Sequence, residues 1–589
     1  MKKNLSIVIL LISLAISQSV FSQTYSFEKG KVPEGWKIDK GVLHISSEKY
    51  KSGSRSLQIK WKQNAVLTIP SPTGISEACR NRNGGMNAWI YNESPTKENL
   101  LFSFRDETGK EVCQLPFLLD FKGWRCIWAK FQGDMNMSSK SNIQSVEIQF
   151  PQHTKKGVTY IDLLEFTSKV SWQNMSDAQY KVNRTDYSLI PDFIGYRNAT
   201  PKVEKVITVE DNQITTITNR LTTWYLGSGQ HSSERWIKMR TENEKTFIRN
   251  GVKAAQKIKI QYTEDHTPQG EPLFPMGAPT IIDGQEAKKF RSINENILLP
   301  LALDYRKNQN DQSLKKALYI YDWFNDQGWA DGSSMGTLCF EKLRSSGYFH
   351  SFFLLKEQLF PEQLKRELQT MNWFTMFGAC YQLPSHAGEV ADNLRALAIP
   401  KLIYALSQND KQEREVALTA FKHYMDNALG IAPGFFGTFK ADFSGYHHRG
   451  PYHSAYYPHA LYAGALIAYL LHDTPYALSE TTLHNLKQGL LTFRFFCAGL
   501  EVPAGTVGRF PKGQQILETL LPAFAYTALS FKEPDKELTA AFKRILKSTE
   551  NQQAITEYIS NVNSNLAYTS TVGEIELVTQ LASSSIAKE

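Results

Sequence analysis

Residues 458–472, PHALYAGALIAYLLH, form an apolar segment of helix length, and residues 392–408, DNLRALAIPKLIYALSQ, form a second one. Helical spacing of apolar residues recurs at 313–328, 345–360, 362–378, 412–429, 480–498, 514–531 and 535–549. Short loops join these segments, so successive helices are expected to pair as hairpins. Because no repeat of fixed length is visible, the pattern predicts an α/α toroid over residues 213–560 rather than a regular solenoid.

Residues 23–170 show a period of two instead. Ile59 and Trp61 alternate with polar residues, and the short segments that share this pattern are separated by Gly, Asn and Pro. This arrangement predicts a β-sandwich. Residues 171–212 have mixed character and predict a connector between the sandwich and the helical part.

The last segment, residues 561–589, has lost the helical period. Ile575 and Leu577 alternate with polar neighbours, as in a strand that is buried on one side. The pattern predicts the start of a further β domain, truncated in this sequence.

The N-terminus predicts export from the cytoplasm. Lys2 and Lys3 precede an apolar stretch at residues 7–16, which is too short to span a membrane, and a small residue, Ser22, offers a cleavage site. Residues 1–22 are therefore predicted to be a signal peptide, and the mature protein is expected to be periplasmic or secreted. No later stretch of the sequence has the length and apolarity of a membrane span.

Composition excludes several classes of protein. The chain has 589 residues, 42% hydrophobic and 21% charged, which excludes a disordered protein. The net charge of +8 is mild and not clustered, so it does not indicate nucleic-acid binding, although it suits an acidic ligand. The six Cys residues lack zinc-binding spacing, so no metal site is predicted; Cys113 and Cys126 could form a disulfide, and most of the others are expected to be buried thiols.

One long loop concentrates reactive side chains. Residues 430–457, GIAPGFFGTFKADFSGYHHRGPYHSAYY, contain three His, eight Tyr or Phe, one Lys and one Arg. These groups suit proton abstraction beside an anion, although a buried loop can also use His and Tyr to satisfy its own backbone. No GxSxG, P-loop or HExxH motif is present, and a pair of glycosidase carboxylates remains open.

At these residues the sequence resembles polysaccharide lyase family 8, and within it the chondroitin sulfate ABC lyases. The resemblance covers nearly the whole chain. It is carried by SRSLQIKW (54–61), FKGWRCIW (121–128), YIDLLEF (160–166), DQGWADGS (326–333), KADFSGYHHRGPY (440–452) and LLHDTPYALS (470–479). The resemblance implies a β-sandwich, then an incomplete α/α toroid, then β-sandwich domains.

The resemblance also implies a set of catalytic residues: Asn393, His448, Tyr456 and Arg509. Asn393 and His448 would neutralise the uronate carboxylate of the substrate. Tyr456 would remove the C5 proton and then protonate the leaving oxygen, while Arg509 would favour the phenolate. His447 is the rival for the role of His448, and His453 is a weaker rival. 

The implied substrate is chondroitin sulfate, with dermatan sulfate and hyaluronan as further candidates, and the implied product carries a 4,5-unsaturated uronate. This chemistry requires no cofactor, and a structural Ca²⁺ ion in the N-terminal domain is left open.

Two departures from the family pattern bear on activity. The family's catalytic set also includes a Glu from the β domain that follows the toroid, and Glu574 does not match it. A C-terminal β domain acting in trans is therefore an expected partner, and the chain alone is expected to be nearly inactive. In addition, Cys339 and Phe340 stand where ABC lyases have a His pair needed for iduronate, and His350 is the nearest His. We therefore expect chondroitin to be cleaved faster than dermatan.

Aromatic residues are candidates for stacking on sugar rings. Trp373 is the best of them, because the family has a Trp on the matching helix, and Trp329 is another. Trp residues on helices are more often part of the core. Two alternative functions remain at this level: a non-catalytic glycan-binding protein of the same family and a glycoside hydrolase on an α/α toroid.

Overall fold

Two structural units make up the chain. The computed structural model describes residues 24–170, 177–181, 190–230, 232–262, 267–273, 290–335, 345–454, 456–499, 501–508, 517–548, 552–560, 564–565, 568–569 and 571–587. The first unit comprises residues 1–190, 271–286 and 325–338, and the second comprises 191–270, 287–324 and 339–589. The predicted signal peptide, residues 1–22, lies outside the described residues.

The first unit contains two five-stranded antiparallel sheets, which confirms the predicted β-sandwich. Their strands are β1 (Lys37–Ile38), β2 (Gly41–Ser46), β3 (Ser56–Lys62), β4 (Val66–Pro70), β5 (Gly85–Asn92), β6 (Asn99–Arg105), β7 (Glu111–Leu118), β8 (Gly123–Lys130), β9 (Ser145–Gln149) and β10 (Lys156–Thr167), with a short helix α1 (Ile75–Arg80) after β4. One sheet has the order β1-β4-β9-β6-β7 and the other β2-β3-β10-β5-β8. Alternation along β3 places Leu57, Ile59 and Trp61 in a common core with residues of the other sheet.

The two Cys residues that were expected to pair lie in different sheets. Cys113 is in β7 and Cys126 is in β8, and both thiols are free and buried. The disulfide prediction is therefore wrong. Its assumption of adjacent strands failed because β7 pairs with β6, whereas β8 pairs with β5.

The outer face of the second sheet carries a separate aromatic cluster that includes Trp89, Tyr91 and Trp124. The DQGWADGS run packs within this unit: Tyr91 Oη donates to Asp326 Oδ1 at 2.5 Å, and Lys51 Nζ donates to the carbonyl of Gln327 at 3.1 Å.

Trp329 in the same run is fully buried, so the structure contradicts its role as a sugar-stacking surface. Its neighbours in the run anchor the segment to the sheet, and this packing is the physical reason for the correction.

The second unit is helical. Its helices are α2 (Ile190–Arg197), α3 (Asp211–Leu226), α4 (Arg235–Ala255), α5 (Leu299–Asn308), α6 (Asp311–Asp326, whose last two residues belong to the first unit), α7 (Ser346–Leu355), α8 (Pro361–Thr375), α9 (Ala391–Leu406), α10 (Lys411–Ala428), α11 (Tyr457–Leu471), α12 (Glu480–Phe496), α13 (Leu517–Ala528), α14 (Lys536–Lys547), α15 (Gln552–Ser560) and α16 (Val572–Ser583). A π-helical turn (Asn294–Leu298) precedes α5, and a two-stranded ribbon, β11 (Ile260–Tyr262) and β12 (Pro268–Gly270), follows α4. The segments listed from sequence match α6 to α14 within a few residues, whereas α3, α4 and α5 were not among them.

The inner helices of this unit follow one another around a ring. Helix α4 packs on α5, α5 on α7, α7 on α9, α9 on α11 and α11 on α13, and α16 packs on both α13 and α4. Outside this series, α8 and α10 pack against α9, and α12 and α14 pack against α13. The predicted α/α toroid is confirmed. Since α10 returns the chain between α9 and α11, the N-termini of α9 and α11 lie at the same end of the ring.

The final segment is helical, so the prediction that residues 561–589 begin a β domain is wrong for residues 572–583. Thr571 caps α16, its Oγ1 accepting from the backbone N–H of Glu574 at 3.2 Å. Ile575 and Leu577 are both buried, because α16 is covered on nearly all sides. A helix that is buried all round has no polar face, and over a few residues its pattern is indistinguishable from strand alternation.

Candidate active site

The long loop between α10 and α11 ends in a tight hairpin. Strand β13 (Tyr446–His447) pairs with β14 (Gly450–Pro451), and the two residues between them, His448 and Arg449, both have left-handed backbones with φ of 48° and 68°. Two left-handed central residues are typical of a type I′ turn, where Asn and Gly are preferred. Each costs about 1–3 kcal/mol in a residue other than Gly, and such strain concentrates at functional sites.

The hairpin is held against the start of α11. The backbone N–H of Gly445 donates to Nε2 of His453 at 3.1 Å, and the hydroxyl of Tyr457 donates to the carbonyl of Phe443 at 2.8 Å. A Cβ atom at Gly445 would overlap the ring of Tyr457, so only Gly permits this close approach. The turn is thereby fixed beside Tyr456, the residue that precedes α11.

Tyr456 is the centre of an aromatic and cationic cluster. The imidazole of His447 stacks on its ring, with centroids 3.9 Å apart and an interplanar angle of 20°. His448 and Tyr452 meet the same ring edge-on at 5.6 and 4.9 Å. The guanidinium of Arg395, the fifth residue of α9, lies 4.8 Å from the centroid of the Tyr456 ring.

Asp392 connects two members of this cluster. Its Oδ1 accepts from Nε and Nη2 of Arg395 at 2.8 and 2.7 Å, and its Oδ2 lies 3.5 Å from Nε2 of His447. Burial alone would raise the pKa of Asp392, but the contact with His447 and the charge of Arg395 outweigh burial and lower it to about 2. Asp392 is therefore a carboxylate at every pH at which the protein would work.

Asn393 follows Asp392 in the first turn of α9 and is half-buried. Its Nδ2 donates to Oε1 of Glu389 at 3.2 Å, and Glu389 also accepts from the hydroxyl of Tyr424 at 3.0 Å. These bonds fix the orientation of the Asn393 amide. The structure thus places Asn393, His447, His448 and Tyr456 around one end of α9 and α11.

Three other predicted site residues lie in the core. Trp373 is 1% exposed and its ring packs 5.5 Å from that of Phe193, so it cannot stack on a sugar in this structure. His350 is 2% exposed in α7, and burial lowers its pKa from 6.5 to about 3. His453 is buried as well, with its pKa lowered to about 4 by burial, and it serves the loop backbone.

Three other residues named from the sequence, Arg509, Cys339 and Phe340, lie outside the described residues. Gly508, which precedes Arg509, has a left-handed backbone and lies against the ring of Tyr452.

Sequence reasoning missed Asp392 and Arg395. The signal was present, since both flank Asn393 in the run ADNLRAL and are spaced i,i+3 on one helix face. What the run does not show is that His447, more than fifty residues later, folds back onto Asp392.

Comparison with known proteins identifies the family of the chain. Residues 200–552 match the family model described as "Lyase, catalytic", and residues 21–182 match the one described as "Lyase, N terminal". The chain belongs to polysaccharide lyase family 8. It is 26% identical to the chondroitin sulfate ABC exolyase of Bacteroides thetaiotaomicron, over 92% of this chain and 54% of that protein. It is 24% identical to the chondroitin sulfate ABC endolyase of Proteus vulgaris, over 90% of this chain and 55% of that protein.

The chain therefore spans about half the length of the curated relatives that it matches. Among solved structures, it is similar to the Streptomyces coelicolor A3 chondroitin AC lyase in complex with chondroitin sulphate. That likeness has a TM-score of 0.48 and 11% identity, and it covers 64% of this chain and 50% of the other.

Within the described ranges, no group of three or more His, Cys, Asp or Glu side chains is arranged to hold a metal ion, so a Ca²⁺ site in the N-terminal domain stays a prediction. Of the helices that the structure describes, none has the length and apolarity needed to cross a membrane.

Proposed function

We propose that this protein is a glycosaminoglycan lyase that cleaves chondroitin sulfate by β-elimination at uronic acid, leaving a 4,5-unsaturated uronate. The observation that carries the proposal is the Tyr456 phenol, held between imidazole and guanidinium groups at the end of the helix ring where Asn393 also lies. A phenol beside the Arg395 guanidinium is a suitable base, because nearby positive charge favours the phenolate.

The reaction needs three things, and the described residues supply groups for each. The uronate carboxylate must be neutralised so that the proton on C5 becomes acidic, and the Asn393 amide and a His imidazole at the hairpin are suited to this. The C5 proton must be removed, which is the role of Tyr456. The leaving glycosidic oxygen must receive a proton, and the Tyr456 hydroxyl formed in the first step can return it.

The local backbone supports the same chemistry. Asn393 lies in the first turn of α9 and Tyr456 precedes the first turn of α11. Helix N-termini carry partial positive charge and unpaired N–H groups, which favour anions nearby. A uronate carboxylate, and the charge that develops on it as the C5 proton leaves, would be stabilised there.

The carboxylates near the site are not arranged for hydrolysis. Asp392 is engaged by Arg395 and His447, and its pKa of about 2 makes it unable to act as a general acid at neutral pH. Glu389 accepts from Asn393 and Tyr424. A hydrolase needs one protonated and one ionised carboxyl group facing the bond, and this pair does not provide them.

The polymer and the location of the protein form part of the proposal. The relatives named as chondroitin sulfate ABC lyases support chondroitin sulfate as substrate, with dermatan sulfate and hyaluronan as secondary candidates. The leader-like residues 1–22 support a periplasmic or secreted location.

The test is to mix the purified protein with chondroitin sulfate, alone and with a C-terminal β domain of a family 8 lyase added in trans, and to follow two signals, ultraviolet absorbance from the unsaturated uronate and new reducing ends. Both should rise together. Reducing ends without absorbance would identify a hydrolase, and binding with neither signal would identify a glycan-binding protein. Either result would overturn the proposal.

A further inference from the structure

A single carboxylate organises the two groups that face the phenol of Tyr456. Asp392 uses one oxygen for Arg395 and the other for His447. His447 in turn stacks on Tyr456 at 3.9 Å, and the Arg395 guanidinium lies 4.8 Å from the same ring. Thus both contacts to the ring depend on the position of one side chain.

Within the described part of the chain, charged and titratable groups from three elements act on or near Asp392. Arg395 comes from its own helix, His447 from the hairpin and His459 from α11. The pKa of His459 is lowered to about 3, chiefly by burial and then by the charge of Arg395, so His459 is neutral at working pH. The Arg395 guanidinium, by contrast, is a permanent cation beside the Tyr456 ring.

We propose that Asp392 is a positioning residue of the elimination, and that it holds Arg395 over the Tyr456 ring as a cation that stabilises the phenolate. This inference rests on the proposed lyase function. Two residues from one turn of α9 would then tune the base, while Asn393 between them binds the substrate.

The need for such a carboxylate follows from the substrate. A uronate brings its own carboxylate into the site, and an untethered guanidinium would pair with that group and leave the phenol. Asp392 Oδ1 already accepts from Nε and Nη2 of Arg395, and these bonds keep the guanidinium against the ring. Loss of these bonds would therefore lower the rate of the chemical step rather than the affinity for the substrate.

Loss of the Asp392–Arg395 pair should lower kcat without raising KM to the same extent. Asp392→Asn keeps the size of the side chain but removes its charge, and kcat should fall about 10–100-fold while KM stays within a few-fold or decreases. Arg395→Gln should show the same split. Because the two residues act as a unit, the double variant should be little worse than either single one.

Asp535 offers a matched control. It also pairs with a cation, Lys487 at 2.7 Å, and it caps α14, with a side chain 15% exposed against 26% for Asp392. Asp535→Asn should lower thermal stability while leaving kcat and KM near the wild-type values. Equal losses of kcat in Asp392→Asn and Asp535→Asn would overturn the inference, as would additive losses in the double variant.

A second experiment, a comparison of crystal structures, does not depend on activity and therefore tests this inference separately from the proposed function. If the wild type forms no unsaturated product, the lyase proposal fails by itself, and crystal structures of the wild type and Asp392→Ala still test the positioning role. In the variant, the Arg395 guanidinium should leave the Tyr456 ring and the His447 ring should lose its stacking. If both groups keep their positions, Asp392 does not position them.

Discussion

The imidazole of His447 and the phenol of Tyr456 stack nearly parallel, with ring centroids 3.9 Å apart. By sequence resemblance the catalytic His falls on His448, with His447 as its rival. The structure separates the two: His447 is buried against Tyr456, whereas His448 is exposed at the tip of the hairpin. This arrangement suggests that His447 supports the base and that His448 meets the polymer.

Tyr456→Phe should abolish elimination. The substitution removes only the hydroxyl that carries the proton, so the ring contacts remain and the affinity for chondroitin sulfate should stay within a few-fold. Loss of a general base lowers the rate roughly 10²–10⁴-fold. Initial rates of unsaturated product and binding by calorimetry give the two values, and more than about a tenth of the wild-type rate would exclude Tyr456 as the base.

Substitutions of the two His residues in the hairpin should change different kinetic parameters. His448→Asn preserves the left-handed backbone, which Asn tolerates, and should raise KM about tenfold with a smaller change in kcat, because it removes a contact to the uronate. His447→Asn should lower kcat more than it raises KM. Steady-state kinetics of both variants distinguish the roles, and the opposite pattern would return His447 to substrate binding.

Glucuronate-containing chondroitin should be cleaved faster than iduronate-rich dermatan. The basis is the absence of a His pair at Cys339 and Phe340. The structure adds that His350 cannot replace it, because His350 is buried beside Tyr225. Rates on the two polymers test the preference, and His350→Gln should leave their ratio unchanged in an active protein. Equal rates would show that another base serves iduronate.

His350 should make the protein sensitive to acid. Its pKa is about 3 in the folded state against 6.5 normally, so the unfolded chain binds the extra proton and the free energy of unfolding falls as the pH drops below about 6.5. The loss is about 1.4 kcal/mol per pH unit for one such group. Urea unfolding at several pH values measures this slope. His350→Gln should reduce the slope by about 1.4 kcal/mol per pH unit, the contribution of one proton. Other His residues whose pKa values are lowered by burial, among them His453 and His459, still contribute to the slope.

Glu574 should be a strong contributor to stability. Its carboxylate accepts hydrogen bonds from the hydroxyls of Tyr462, Tyr526 and Tyr558 inside the ring. Glu574→Ala leaves these donors without their acceptor, and the free energy of unfolding should fall by about 3–5 kcal/mol. Glu557→Ala, at an exposed position on α15, is the control and should cost less than about 0.5 kcal/mol. Similar losses in both would show that the buried network is not important.

The sequence predicted the architecture because the periods of two and 3.6 are set by burial on one face, as for Ile59 in β3 and for the helices α6 to α14. It could not place Trp373, since a Trp on a helix suits a core and a sugar surface equally well. It also could not show the contact of Asp392 with His447, which depends on how a long loop returns to a helix. The final helix was missed because burial on all sides erases the polar face that reveals helical periodicity.

The contacts of Arg240 bear on how the protein is made. Arg240 in α4 donates to the carbonyl of Tyr558, 318 residues further along the chain, and α16 packs onto α4 from still later in the sequence. At about 5–20 residues per second, a ribosome needs roughly 15–60 s to add that many residues. Throughout that interval the buried side of α4 lacks its final neighbours. The helical ring must therefore complete its core late in translation, and chaperones that shield apolar surface would have their greatest effect before Tyr558 emerges.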